Sequence, residues 1–260
     1  VGARVDGKVA LVTGATQGIG LAIAETLAAS GASGICISGR NEERGRQAVE
    51  EISALGCPAD FVAAELAEAN APARIIKACT DRFGRIDCLV NAAALTDRAS
   101  LLDADLDIWT KLFDVNARAP FFLMQAAVRA MRKQGTGGSI VNILSMNAHC
   151  GTPELAVYSG AKAALAVLTR NIANAHRFDR IRVNGINVGW ADTPAERVMQ
   201  AATLGLGEGW LEAASASQPF GRLLSAQDVA NLAVFLLSDA SGPMTGALVD
   251  QEQWVVGSRN

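Results

Sequence analysis

Val9-Ala10-Leu11-Val12-Thr13-Gly14-Ala15-Thr16-Gln17-Gly18-Ile19-Gly20 is the stretch whose reading decides the fold. Its first five residues read as a strand buried on both faces, and residues 19–30 read as the helix that follows. Three glycines lie between and at the start of the helix. Gly14 permits a tight turn, Gly18 lets the backbone approach a bound group with no Cβ in the way, and Gly20 allows the helix to pack closely on the strand. A helix that starts at such a turn presents free N–H groups and the positive end of its dipole, which suits phosphate. The spacing is GxxxGxG, a wider turn than GxGxxG, and three glycines alone carry little weight. Their place after the first buried strand and before a helix is what points to the pyrophosphate of a dinucleotide, held by Gly14, Thr16, Gln17, Gly18, Ile19 and Gly20.

Outward from this turn, short β-branched runs alternate with longer amphipathic ones. Residues 35–38, 61–64, 88–91, 139–144, 181–187 and 247–250 read as further strands. Helices are expected over 42–55, 72–83, 106–133, 155–178 and 226–238. Apolar strands in regular alternation with helices imply a mostly parallel sheet with helices on both faces. Right-handed crossovers then make it a doubly wound α/β fold. No linker or repeat splits the chain, so residues 1–260 are read as one dinucleotide-binding and catalytic domain. The irregular stretch is 189–222, interrupted by Gly205, Gly207 and Gly209; a connection of that length inside a compact domain is expected to be a mobile substrate lid.

Composition agrees with a folded domain. Of the 260 residues, 50% are hydrophobic and 19% charged, enough apolar surface for a substantial core. A net charge of −3 argues against nucleic acid or anionic membrane as partner. Apolar runs such as 163–168 and 232–237 fall far short of the ~18 residues of a bilayer span, and no secretory apolar segment opens the chain. Five scattered cysteines without a CxxC, and two histidines, leave no metal site in prospect and suit a reducing cytoplasm.

Which dinucleotide follows from the end of the second strand. An acidic side chain there would accept hydrogen bonds from the ribose hydroxyls and repel a 2′-phosphate. The chain has Ser38-Gly39-Arg40-Asn41 instead. Arg40 supplies a planar cation suited to phosphate, which favours NADP, with NAD as the alternative if Arg40 is only a solvated helix-start residue.

The chain contains one tyrosine, Tyr158, four residues before Lys162 on an expected helix, so the two side chains share a face. A phenol ionises near pH ~10 and is a poor base at neutrality. Lowering that by ~3 units takes about 4 kcal/mol, which a nearby ammonium and a positive nicotinamide can supply in a partly desolvated cleft. Ser145, at the end of the fifth strand, is placed to hydrogen-bond a reacting oxygen. Asn116, in the long helix, is placed to hold Lys162 through its carbonyl side or a water. A Tyr four before a Lys is common by chance; four parts in order behind a phosphate turn are not.

With these motifs the chain resembles the short-chain dehydrogenase/reductase family over nearly its whole length. The resemblance rests on Thr13-Gly14-x-x-x-Gly18-Ile19-Gly20, Asn91-Ala92-Ala93, Asn116, Ser145, Tyr158-x-x-x-Lys162 and Thr193-Pro194. It implies a seven-stranded parallel sheet of Rossmann type and a homotetramer or dimer packed through the two long helices. It implies Tyr158 as general acid/base, Ser145 as the group that orients the substrate oxygen, Lys162 as the cation that lowers the Tyr158 pKa and binds ribose, and Asn116 as the end of a proton relay. Cofactor contacts are implied at Glu65, Leu66, Asn91, Ala92, Ala93, Tyr158, Lys162, Gly189 and Thr193. Three departures stand out: Asn91-Ala92-Ala93-Ala94 where Asn-Asn-Ala-Gly is usual, Val188-Gly189 for Pro-Gly, and Glu252-Gln253-Trp254 for Asp-Gly-Gly. Glu65 stands where the family commonly has Asp.

In this architecture the residues after Ser145 and Gly189 line the substrate mouth: Asn147, His149, Cys150, Glu154, Trp190 and Trp254. Asn147 and His149 offer donors and acceptors, and Trp190 offers a stacking face of the kind sugars use. The expected reaction is hydride transfer between NADP(H) or NAD(H) and a secondary alcohol or carbonyl, in a sugar, polyol or hydroxy acid. A 3-oxoacyl reductase is the alternative within enzymes, although no basic patch awaits an acidic carrier protein. A non-catalytic dinucleotide sensor needs only the phosphate turn, and a scaffold would need no cofactor at all.

Overall fold

Seven strands run parallel in the order β3-β2-β1-β4-β5-β6-β9 in the computed structural model, which describes residues 2–257. They are β1 (Val9–Thr13), β2 (Gly34–Gly39), β3 (Ala59–Ala63), β4 (Cys88–Asn91), β5 (Gly138–Ile143), β6 (Ile181–Val188) and β9 (Leu248–Gln251). A two-residue pair, β7 (Ala191–Asp192) with β8 (Leu224–Ser225), lies outside this sheet. The strand order reverses between β1 and β4, the place where an open sheet of this kind leaves a crevice beyond its carboxyl ends.

Alternation along β1 builds the two cores. Ala10 and Val12 pack on one face with Ile23 and Leu27 of α1 (Gly18–Ala29) and Val229 and Val234 of α9 (Ala226–Leu237). Val9 and Leu11 pack on the other with Ile75 of α3 (Ala71–Phe83), Leu123 of α5 (Ala119–Gln134) and Leu165 of α6 (Ala156–His176). Each fully buried Val, Leu or Ile contributes about 1.5–3 kcal/mol, so neither face can be left uncovered. The remaining helices are α2 (Glu42–Ala54), α4 (Leu106–Phe113), α7 (Pro194–Val198) and α8 (Trp210–Ala216).

The sequence predicts one long helix over 106–133, and the structure divides it. A π-helical turn, Asp114–Arg118, separates α4 from α5. Pro120 has no N–H for the carbonyl of Asn116 four residues before it, and the Ala119 N–H reaches back to Asp114 instead. Ser145 lies two residues beyond β5 rather than at its end, where its hydroxyl accepts the Asn147 N–H (3.2 Å) and caps a short 3₁₀ turn, Met146–Ala148. Within 189–222 the chain forms β7, α7, a π turn (Met199–Thr203) and α8, gathered on their own apolar cluster of Trp190, Trp210, Ala214 and Leu223.

A buried polar chain fastens α6 to the sheet. Asn91 of β4 donates to Asn142 of β5 (2.7 Å), Asn142 donates to Thr169 of α6 (2.8 Å), and Thr169 donates to the Leu165 carbonyl (2.7 Å). At the other end of the molecule's first βα unit, a Cβ on Gly20 would lie 2.4 Å from the Gly14 carbonyl oxygen. Backbone cannot yield as a side chain can, so Gly20→Ala is expected to push α1 off β1 at a cost of roughly 1–3 kcal/mol. Thermal unfolding should show a midpoint lower by several degrees; an unchanged midpoint would mean that the helix start has slack.

Candidate active site

A crevice of about 740 Å³ runs along the carboxyl ends of the strands, a size suited to an extended small molecule. Gly14, Thr16, Gln17, Gly18, Ile19 and Gly20 form its floor. Gly14 has φ +66°, and a Cβ there would lie 2.6 Å from the Ala93 backbone, so the turn is pressed against the segment after β4. Gly18 has φ +60°, and the nearest atom to a Cβ there is 3.7 Å away on Thr193, so its missing side chain leaves room above the floor. Gln17 at the N-cap of α1 makes no side-chain cap, which leaves the first N–H groups of the helix available. Thr13 Oγ1 accepts the N–H groups of Ala92 (3.2 Å) and Ala93 (3.3 Å) and holds the opposite wall. These features fit a pyrophosphate.

At one end lie Arg40, Glu65 and Leu66. Gly39 is required sterically as well, because a Cβ there would meet the Thr16 methyl at 2.6 Å. Arg40 Nη1 stands 3.6 Å from Glu65 Oε2 with both side chains largely exposed, a pairing too weak to withhold the guanidinium from a phosphate. Arg44, on the first turn of α2, lines the same end and donates to Gln17 Oε1 (2.5 Å). Sequence reasoning passed over Arg44. Its spacing of four from Arg40, across the N-cap Asn41 that accepts the Arg44 N–H, was the available signal.

The other end brings Ser145, Asn147, Tyr158, Lys162, Gly189, Trp190 and Thr193 together. Lys162 is 2% exposed, and its ammonium donates to the Ile143 carbonyl (2.7 Å) and stands 5.8 Å from the centre of the Tyr158 ring. Burial lowers the Lys162 pKa to about 8. The Tyr158 phenol is pushed up to about 12, chiefly by burial; the Ser145 hydroxyl pulls it down and the Glu196 carboxylate pushes it up. The lowering expected from Lys162 is therefore not a property of the chain alone. Desolvation of the phenolate outweighs it.

Six of the expected site residues do not line the crevice. Asn91 turns into the sheet toward Asn142. Asn116 is fully buried and spends its amide on the backbone of Leu95, accepting its N–H (3.0 Å) and donating to its carbonyl (2.8 Å). His149 does not line the crevice: its Nε2 lies 3.0 Å from Asp250 Oδ1 and 3.2 Å from Asn187 Nδ2, at the edge of β6 and β9. Cys150, Glu154 and Trp254 stand outside it as well. Conversely, Arg98, Glu196, Gln200 and Glu252 line the crevice and were not anticipated; they sit in loops and one short helix, where no periodicity betrays the direction of a side chain. Among the described residues no three His, Cys, Asp or Glu side chains gather to hold a metal ion, and no helix is long and apolar enough to cross a membrane.

Because Tyr158 is the single tyrosine, tyrosinate absorbance near 295 nm reads this site alone. In the folded chain its midpoint is expected well above the ~10 of a free phenol, toward about 12. A raised acid pKa favours the protonated fold, so the stability from this group is full below pH ~10 and lost as pH rises toward about 12. A native midpoint at or below that of the unfolded chain would contradict the burial described here.

A family model described as enoyl-(acyl carrier protein) reductase matches residues 14–251. The trans-4-hydroxycyclohexanecarboxylate dehydrogenase of Sinomonas cyclohexanicum is 36% identical over 94% of this chain and 91% of that protein. The galactitol 2-dehydrogenase of Agrobacterium fabrum is 35% identical over 90% of this chain and 92% of its own length. The L-sorbose reductase of Gluconobacter frateurii, solved with NADPH and L-sorbose, superimposes with a TM-score of 0.93 at 28% identity over 100% of both chains. A parallel sheet with a glycine turn, a Ser-Tyr-Lys cluster at the end of its crevice, and relatives matched nearly end to end together establish that the chain belongs to the short-chain dehydrogenase/reductase family of NAD(P)-dependent oxidoreductases.

Proposed function

We propose that the protein interconverts a secondary alcohol and its carbonyl in a sugar, polyol or hydroxy acid, using NADP(H) in preference to NAD(H). The observation that carries this reading is the continuity of one crevice, with Arg40 and the glycine turn at one end and the hydroxyls of Ser145 and Tyr158 at the other. Gly14, Thr16, Gln17, Gly18, Ile19 and Gly20 would hold the pyrophosphate. Arg40 would meet the 2′-phosphate, Leu66 and Ala92 would flank the adenosine side, and Lys162, Gly189 and Thr193 the nicotinamide side. A bound nicotinamide supplies or accepts the hydride and, when oxidised, places a positive charge near the phenol.

The proton is the task of the chain. Tyr158 keeps its proton at neutral pH, the state needed to protonate the oxygen of a carbonyl undergoing reduction. In oxidation the phenol takes up the alcohol proton only after losing its own, and the cation of Lys162 favours that loss. Ser145 donates to the substrate oxygen as charge changes there. Asn116 would serve the proton relay through its backbone carbonyl, which lacks the usual i+4 donor because Pro120 carries no N–H. Asn147 and Trp190 face the substrate, and residues 189–222 act as a mobile lid, supported by their separate apolar cluster and by Gly205 and Gly207 at positive φ with open space around them.

The name of the matching family model and the chemistry of acyl carriers favour a second reading, a 3-oxoacyl reductase. Against it, carboxylates of Glu196 and Glu252 line the substrate end. We place the protein in the cytoplasm, consistent with free cysteines, and assemble it as a homotetramer or dimer through the α4–α5 stretch and α6, where Leu106, Trp109, Phe122 and Val167 are exposed.

Tyr158→Phe is expected to leave the NADPH dissociation constant nearly unchanged and to lower turnover by about 10²–10⁴-fold. Retained turnover removes the mechanism, and cofactor binding without turnover on any polyol, aldose or ketone in the wild type would mark a sensor. Arg40→Ala should weaken NADP(H) roughly tenfold while sparing NAD(H), the effect of losing a charge-assisted hydrogen bond. Equal loss for both cofactors, or tighter NAD(H) binding in the wild type, overturns the preference.

A further inference from the structure

Glu196 stands in the first turn of α7, where Thr193 caps the helix by accepting its N–H (3.2 Å). Its Oε1 accepts two hydrogen bonds, from Trp190 Nε1 (2.8 Å) and from Gln200 Nε2 (2.6 Å). Gln200 is itself buried, so the carboxylate is clamped rather than free to swing. Its Oε2 accepts nothing from the described residues. Among the described residues no cation pairs with it either: Arg197 is spent on Asp192 at 2.7 Å, and Lys162 donates to Ile143. Oε2 is not sealed in the interior and stays open to the crevice, where a ligand can bring donors to it.

We propose that Glu196 selects the substrate, accepting a hydroxyl next to the reacting carbon through Oε2 and turning away molecules that carry a carboxylate at that position. The inference rests on the redox reading above and narrows its substrate class to neutral polyhydroxy compounds, with hydroxy acids excluded. The Trp190 indole, whose orientation Glu196 fixes, lines the crevice beside it. An acceptor for O–H groups next to a flat apolar face for C–H groups is complementary to a polyol and indifferent to a simple ketone. Glu252 adds a second negative charge on the same side: a Cβ on Gly189 would lie 2.3 Å from its Oε2, so the two segments touch. Arg98, on the loop after β4, is the opposing charge; it is exposed at the rim. The Glu196 carboxylate pushes the Tyr158 phenol up, behind the larger effects of burial and of the Ser145 hydroxyl, so its charge reaches the reacting end of the crevice.

Glu196→Gln keeps the length and an acceptor for Trp190 and removes the charge. Two matched pairs serve as probes: sorbitol against gluconate with NADP, and methyl acetoacetate against acetoacetate with NADPH. The wild type is expected to favour the neutral member of each pair. In Glu196→Gln, kcat/KM for sorbitol should fall about tenfold or more, the loss typical of a hydrogen bond to a charged group, while that for gluconate rises. Calorimetric dissociation constants for the same compounds on the cofactor complex should move in the same directions. The tyrosinate midpoint of the cofactor-free variant should also fall, since a negative charge near the phenol is gone; the other charged groups facing it, Lys162 from α6, Glu252 after β9 and Arg98 after β4, are untouched.

An unchanged neutral-to-acid ratio together with an unmoved tyrosinate midpoint overturns the role of Glu196. Should the wild type accept methyl acetoacetate but no polyol or hydroxy acid, the polyol reading fails by itself. The Glu196 charge is then judged on the acetoacetate pair, where equal ratios in both proteins refute it.

Discussion

A single ammonium, sealed from water, is the constraint to which the reaction end of the crevice conforms. Lys162 donates to the carbonyl of Ile143, the last residue of β5, and burial brings its pKa down to about 8. A charge in that position tolerates little displacement, because losing its acceptor would strand it without a partner. The bond therefore fixes α6 against the end of β5, and with it the distance between Tyr158 on the helix and Ser145 just past the strand. The chain of Asn91, Asn142 and Thr169 braces the same junction deeper in the sheet. What looks at first like a Tyr-Lys spacing on one helix is held in place by two strands and a helix working together.

Much of this was legible in the sequence, for a physical reason. Doubly buried strands are almost wholly apolar up to their last residue, so residues 9–13 and 88–91 have the same bounds in the sequence reading and in the structure. The glycine turn was legible because left-handed backbone at Gly14 and Gly18 and backbone contact at Gly14 and Gly20 each disfavour a side chain. Failures cluster where local pattern and long-range geometry part company. The apolar periodicity over 106–133 runs on through the π turn, because one extra residue in a turn barely shifts the pattern; only Pro120 marked the break. Asn91, at the end of β4, and His149, just past the 3₁₀ turn after β5, have the right chemistry, but their side chains pair with Asn142 and Asp250. Glu196 and Arg44 face the crevice because of how distant loops close over it, which spacing along the chain does not encode.

Charge is unevenly distributed along the crevice. Arg40 and Arg44 outnumber Glu65 at one end, the glycine floor offers neutral N–H groups, and Glu196 and Glu252 stand against Lys162 and Arg98 at the other. Phosphates would meet the more favourable potential at the Arg40 end.

The interrupted helix ahead of α5 carries a consequence for how the molecule matures. Helices ordinarily heal their defects, since each added residue regains a bond that its neighbour lacked. At Pro120 healing is chemically barred, because the ring nitrogen carries no hydrogen. The missing bond at Asn116 is consequently written into covalent structure, and no fluctuation of the finished protein can anneal it away.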